Sequence, residues 1–163
     1  MRACSFSGHR KIEARHSKAI SPLIMRAINY AYDNGVRIFL TGGALGFDTL
    51  AARQVILFKM SHPDVRRHLI SPCVNQSENW TDAQRSSYEF ILQHSDHVEF
   101  VCDEYKKGCM QMRNKRLAEE CDMLVAYLSR LNTGTGQTVR IAEKMGKTIF
   151  NLYPSLDREC KNC

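Results

Sequence analysis

Six short apolar runs, each separated from the next by a longer run with apolar residues at helical spacing, leave this chain few ways to fold. The short runs are Ala3 to Ser7, Val36 to Leu40, His68 to Cys73, His97 to Cys102, Met123 to Tyr127 and Thr148 to Leu152. Leu23, Ile24, Ala27, Ile28 and Ala31 form a helical stripe that Asn34-Gly35 ends, with Ser21 and Pro22 suited to its N-cap and first position. Further helices are expected at Phe47 to Met60, at Asp82 to His94 with Thr81 as cap, at Met110 to Glu120, and at Gln137 to Met145 before Gly146. Strands that alternate with helices build βαβ units, because a parallel neighbour is reached only by a crossover. The expectation is an α/β fold: a Rossmann-like, doubly wound, mostly parallel sheet flanked by helices.

At 163 residues the chain has room for one hydrophobic core and too little for two. A single domain is expected over residues 1–154, with residues 155–163 as a short C-terminal tail. No apolar run approaches the roughly 20 residues of a membrane span, and His9-Arg10-Lys11 interrupts the N-terminal apolar stretch too early for a secretory signal. A cytoplasmic protein with no membrane partner is expected. The seven cysteines are scattered, several within strand-like runs, which suits reduced thiols acting as small hydrophobes. Cys160 and Cys163 form an isolated C-x-x-C that reads as part of the tail. The six histidines show no metal-binding spacing, so no metal site is expected. The formal charge of +6 favours anionic partners, while the dispersal of the basic residues ranks a nucleic acid below a small phosphate-bearing molecule.

In a parallel α/β sheet, ligands bind where strands end and helices begin. Three loops at such positions carry unusual residues. Ser7-Gly8-His9-Arg10 follows the first strand and would bring a titratable ring and a guanidinium to the rim. Thr41-Gly42-Gly43-Ala44-Leu45-Gly46-Phe47-Asp48 follows the second. Its glycines remove side chains so that backbone N–H groups and the helix dipole can face an anion, or serve a tight turn with close packing. Asp48, in the first turn, suits a ribose hydroxyl, acid/base chemistry or helix capping equally well. Thr133-Gly134-Thr135-Gly136-Gln137-Thr138 follows the fifth and offers the hydroxyls of Thr135 and Thr138. Arg113-Asn114, on the preceding helix, either faces the ligand or points to solvent. Trp80, the sole tryptophan, lies in a polar loop after the third strand, as a stacking platform for a base or a core plug.

Taken in order, Ser7-Gly8-His9-Arg10, the Thr41 to Asp48 loop, Pro72 with Gln76 and Trp80, Arg113-Asn114 and Gly134-Thr135 resemble the YpsA-like branch of the SLOG superfamily, over about residues 4 to 154. That superfamily joins the DprA/Smf single-strand DNA binders to the LOG phosphoribohydrolases. The resemblance implies a Rossmann-like fold, a nucleotide-type ligand at the glycine loop with no other cofactor required, and a homodimer. It places Gly42, Gly43, Gly46 and Asp48 on the superfamily's first loop. Asn132 and Thr133 stand where the LOG loop has proline and glycine, and Gln137-Thr138 stand where it has its catalytic glutamate. N-glycosidic hydrolysis would therefore fall to Asp48 as carboxylate, with Arg113 as phosphate or transition-state partner.

Binding or sensing of a nucleotide or nucleotide-derived phosphate ligand is thus the leading expectation. The residues expected to meet the ligand are Gly8, His9, Arg10, Thr41, Gly42, Gly43, Gly46, Asp48, Trp80, Arg113, Asn114, Gly134, Thr135 and Thr138. Hydrolysis of a nucleoside phosphate and DprA-like binding of single-stranded DNA are the alternatives, in that order.

Overall fold

The computed structural model describes residues 1–162. Six strands, β1 (Arg2–Gly8), β2 (Val36–Thr41), β3 (Arg66–Cys73), β4 (His97–Cys102), β5 (Met123–Tyr127) and β6 (Thr148–Asn151), alternate with six helices. The helices are α1 (Ile20–Asp33), α2 (Phe47–Lys59), α3 (Asp82–Gln93), α4 (Cys109–Glu120), α5 (Gly134–Lys144) and α6 (Tyr153–Lys161). The sheet has the order β4-β3-β2-β1-β5-β6 with every pairing parallel. A parallel sheet covered on both faces needs strands that are apolar throughout. The central strands meet that need: β5 is buried at every position, and β1 from Ala3 to Ser7.

Successive side chains of β1 serve opposite faces. Cys4 and Phe6 enter a core with Ile24 and Ile28 of α1, Val55 of α2 and Leu156 of α6. Ala3 enters the other core, with Leu117 and Ala118 of α4 and Val139 and Ala142 of α5. The first half of the chain winds outward from β1 to β4, and the second half returns through α4 to start beside β1 on its other side. β1 and β5 are therefore neighbours whose following segments diverge, which opens a crevice at their carboxyl ends.

Two local expectations are corrected. α1 begins at Ile20, and its N-cap, Ala19, makes no side-chain capping bond, so Ser21 and Pro22 lie inside the helix. A 3-10 turn at Ala14–His16 runs almost directly into α1, and Pro22 falls in a first turn where a missing N–H costs nothing. The stretch expected as a tail carries α6. Leu156 is 0% exposed, and Asp157 lies 2.8 Å from His16 Nε2 and 2.9 Å from Arg15. His16, itself buried, holds the Tyr127 hydroxyl at 2.7 Å through Nδ1. Pro154 opens this helix, as proline commonly does. Cys160 donates from Sγ to the Arg15 carbonyl at 3.0 Å, and Cys163 lies outside the described residues. Among those residues no helix is long and apolar enough to cross a membrane.

Candidate functional site

A cavity of about 420 Å³ occupies the crevice where β1 and β5 diverge. Its floor and one wall are Ser7 to Lys11 from the end of β1, with Ala44 and Asp48 from the start of α2. Met110, Arg113, Asn114 and Leu117 of α4 form a second wall, and Arg130 with Thr133 to Thr135 a third. Residues from four segments distant in sequence meet here because all are at carboxyl ends of strands or on helices packed over them.

Arg113 is the central feature. It is 7% exposed and lines the cavity, so of its two expected placements, toward a ligand or toward solvent, the solvent one is overturned. Its Nε donates to Asn114 Oδ1 at 2.9 Å, Nη1 donates to the Gly42 carbonyl, and Nη2 faces Met110 Sδ at 3.9 Å. All three partners are neutral. Burial holds its pKa below the ordinary value, with the charge of Asp48 opposing that shift. Asp48 is buried beside it, and burial pushes its carboxyl from 3.8 up to about 6 against the pull of Arg113 and the Ala44 N–H, which donates to Oδ2 at 3.3 Å. A deeply buried acid and a buried base thus share one wall without a direct ion pair.

The glycines make this closeness sterically feasible. A Cβ on Gly42 would lie 2.4 Å from Arg113 Nη1 and 2.9 Å from Asp48 Oδ2. Gly46 has φ +80, and a Cβ there would stand 2.0 Å from the Arg10 carbonyl oxygen. A Cβ on Gly8 would strike the Phe47 ring at 2.3 Å. The first two loops are thereby packed backbone to backbone, with Phe47 N donating to the His9 carbonyl at 3.3 Å.

The profile of the YspA SLOG family matches residues 6–147. The chain belongs to that family. It is 28% identical over 131 residues to a UPF0398 protein of Bacillus cereus strain G9842, covering 78% of this chain and 71% of that one. A UPF0398 protein of Bacillus thuringiensis strain Al Hakam is 26% identical over 138 residues, covering 83% and 75%. Among solved structures, DNA processing protein A of Streptococcus pneumoniae superposes with a TM-score of 0.66 at 17% identity, over 92% of this chain and 50% of its own. The Helicobacter pylori protein of that name, described with a single-stranded DNA binding mode, superposes at 0.63 and 19% identity, over 92% and 64%. This chain therefore spans about half to two thirds of those two proteins, and the likeness is one of fold.

Within this SLOG domain, Gly8, His9, Arg10, Asp48, Arg113, Asn114, Gly134 and Thr135 all line the cavity. Thr41, Gly42, Gly43, Gly46, Thr138 and Trp80 are not among its lining residues. Thr41 is buried and accepts from Arg67 Nη1 at 3.3 Å. Gly43 lies under Gln76, whose Nε2 donates to the Gly43 carbonyl at 3.3 Å. Thr138 donates to the Gly134 carbonyl at 3.1 Å. Trp80 sits edge-on to Tyr88, with ring centroids 5.5 Å apart, in a small core beneath α3.

Other lining residues stand outside the set expected to meet the ligand. Met110 and Leu117 precede and follow Arg113 by three and four positions, so the helical period alone puts them on its face. Lys11 directly continues the Gly8-His9-Arg10 segment, and Ser7 opens it. Arg130 carries no local signal, since it becomes a wall residue only when β5 is placed beside β1. Among the described residues, neither the Ser7 nor the Thr135 hydroxyl makes a side-chain hydrogen bond, although both residues are more than nine-tenths buried.

Proposed function

We propose that this SLOG domain binds the phosphate of a nucleotide or nucleotide derivative in the cavity between β1 and β5. The observation that carries the reading is Arg113, a buried guanidinium on the cavity wall whose hydrogen-bond partners are all neutral. Its nearby acid, Asp48, makes no direct ion pair with it, so the cost of burying this cation is only partly met, and an entering phosphate would offset more of that cost while gaining charge-assisted hydrogen bonds. The free hydroxyls of Ser7 and Thr135 supply neutral donors. The first amides of α5, at Gly134 and Thr135, have no acceptor within their own helix and lie at its positive end. Arg10, Lys11 and Arg130 form a cationic rim that raises local anion concentration. The volume suits a small molecule.

A thermal-shift panel of nucleoside mono- and diphosphates, nucleosides and inorganic phosphate tests this against Gly134→Asp. Gly134 is exposed at the mouth, and a Cβ there meets nothing closer than Asn114 Nδ2 at 3.2 Å. An acidic residue at the first position of α5 is favoured by the helix dipole, so the variant keeps its fold while opposing an anion. The expected result is stabilisation of the parent by phosphate-bearing ligands and not by nucleosides, with a flat response from the variant. No phosphate-dependent stabilisation of the parent sinks the reading.

Asp48 supports a second reading, hydrolysis of the N-glycosidic bond of a nucleoside phosphate. A carboxyl titrating at about 6 is divided between its two protonation states near neutrality, as a general acid or base requires. Release of free base that disappears in Asp48→Asn would establish it. Binding of single-stranded DNA rests on likeness of fold to the two DNA processing proteins. It predicts retention on single strands that weakens steeply with salt and depends on Arg10, Lys11 and Arg130.

A further inference from the structure

His9 lies between the two loops that form opposite walls of the cavity. Its Nε2 lies 2.9 Å from the Ser129 amide nitrogen and 3.4 Å from that of Arg130, and both amides donate to it. A ring nitrogen that accepts from two N–H groups carries no proton, so the ring is neutral with its hydrogen on Nδ1. The His9 main chain is tied to the buried body of the fold. The His9 amide donates to the Tyr127 carbonyl at 3.2 Å, and the His9 carbonyl accepts from Phe47. The Ser129 and Arg130 side is exposed, and it is coupled onward. The Arg130 carbonyl accepts from Thr133 Oγ1 at 2.8 Å, and that same oxygen accepts from the Gly136 amide at the start of α5.

We infer that His9 is a positioning residue: as a neutral acceptor it holds the segment between β5 and α5, and its protonation releases the wall made by Arg130 and Thr133 to Thr135. A proton on Nε2 would set an N–H against two N–H donors, replacing two hydrogen bonds by repulsion. The exposed segment moves, because the end of β5, through the Tyr127 carbonyl, and α2, through the Phe47 amide, hold the His9 backbone in place. The inference rests on reading the cavity as an anion site.

The surroundings agree with a neutral ring. Arg10 and Lys11 follow it on its own loop, Arg130 faces it from the β5–α5 segment, and Arg113 of α4 lines the same cavity. Tyr127 of β5 meets the ring edge-on at 6.1 Å, Tyr153 of α6 lines the neighbouring hollow, and Asp48 and Glu13 are the acids nearby. Burial first, and then Arg130, hold the imidazole below its ordinary 6.5, against Glu13.

The sign of the pH dependence separates this role from direct contact. An imidazolium touching a phosphate binds it more tightly as pH falls. A histidine that must stay neutral to hold the wall binds it less tightly. Phosphate monoesters themselves gain a proton near pH 6, so the probe is inorganic sulfate, which stays a dianion throughout. The comparison is His9→Gln, whose amide oxygen accepts without titrating. Protonation of Asp48 would strengthen anion binding in both proteins alike and cancels between them.

The experiment follows the His9 imidazole, the Ser129 and Arg130 amides and sulfate affinity by NMR from pH 8 to 5. Expected are amides that shift and lose protection with the His9 midpoint, and a parent affinity that falls roughly tenfold relative to His9→Gln, equivalent to one pKa unit of linkage. Parent affinity that rises with His9 protonation, or amides that ignore it, overturns the inference. Amides that follow His9 while sulfate binds at no pH overturn the anion reading and leave the holding role standing. If His9→Gln fails to fold, concerted titration of the parent's ring and amides decides.

Discussion

Gly42 separates a guanidinium from a carboxyl, and its missing side chain lets Arg113 reach the Gly42 carbonyl while Asp48 is buried alongside. The carboxyl is held at about 6 chiefly because burial penalises its charge. The unfolded chain would titrate near 3.8, so Asp48 contributes stability that is fully present below about 3.8 and lost as pH rises through about 6. Asp48→Asn removes that penalty while leaving an oxygen to accept from Ala44. At pH 7.5 the variant is expected to be more stable than the parent by about 2–3 kcal/mol, with the advantage vanishing near pH 3.5. Denaturant unfolding at the two pH values checks this, and an advantage independent of pH contradicts it. A gain in stability at a site residue is what a functional acid held in its less favoured state predicts.

At the scale of elements, the helix starts differ in how much they reveal locally. α3 carries a capping box in which Thr81 Oγ1 accepts from the Gln84 amide at 3.2 Å and Gln84 Oε1 accepts from the Thr81 amide at 3.0 Å. That pattern is written in neighbouring residues, and Thr81 was legible as a cap. α2 starts instead at Gly46, whose need for glycine comes from the Arg10 carbonyl at a distance of 36 positions. The glycines of this loop were legible as constrained. The source of the constraint, packing against the first loop, was not. Two substitutions separate the cases by chemical denaturation. Thr81→Ala is expected to cost about 1 kcal/mol. Gly46→Ala meets both a forbidden φ and a backbone clash and is expected to cost at least about 2–3 kcal/mol. Equal costs would mean that the first two loops are not locked together.

Over the whole molecule, α6 closes the β6 side by placing Leu156 in the core shared by α1 and α2 and Asp157 on His16. Leu156→Ala is expected to lower stability by about 2–4 kcal/mol, read as a lower denaturation midpoint with an unchanged denaturant slope; a detachable tail would show no change. The alternation of apolar runs, set by local periodicity and turn residues, determined six strands, the intervening helices and the three loops at strand ends. Those are properties of neighbouring residues, so one chain read in order contains them. Periodicity says nothing of which strands lie side by side. Only the tertiary structure set β5 against β1, because that choice depends on how α4 and the returning chain bury their faces. The cavity followed from it: Arg113 became a buried cation, Arg130 and Lys11 became its rim, and His9 became the acceptor joining two loops 120 positions apart.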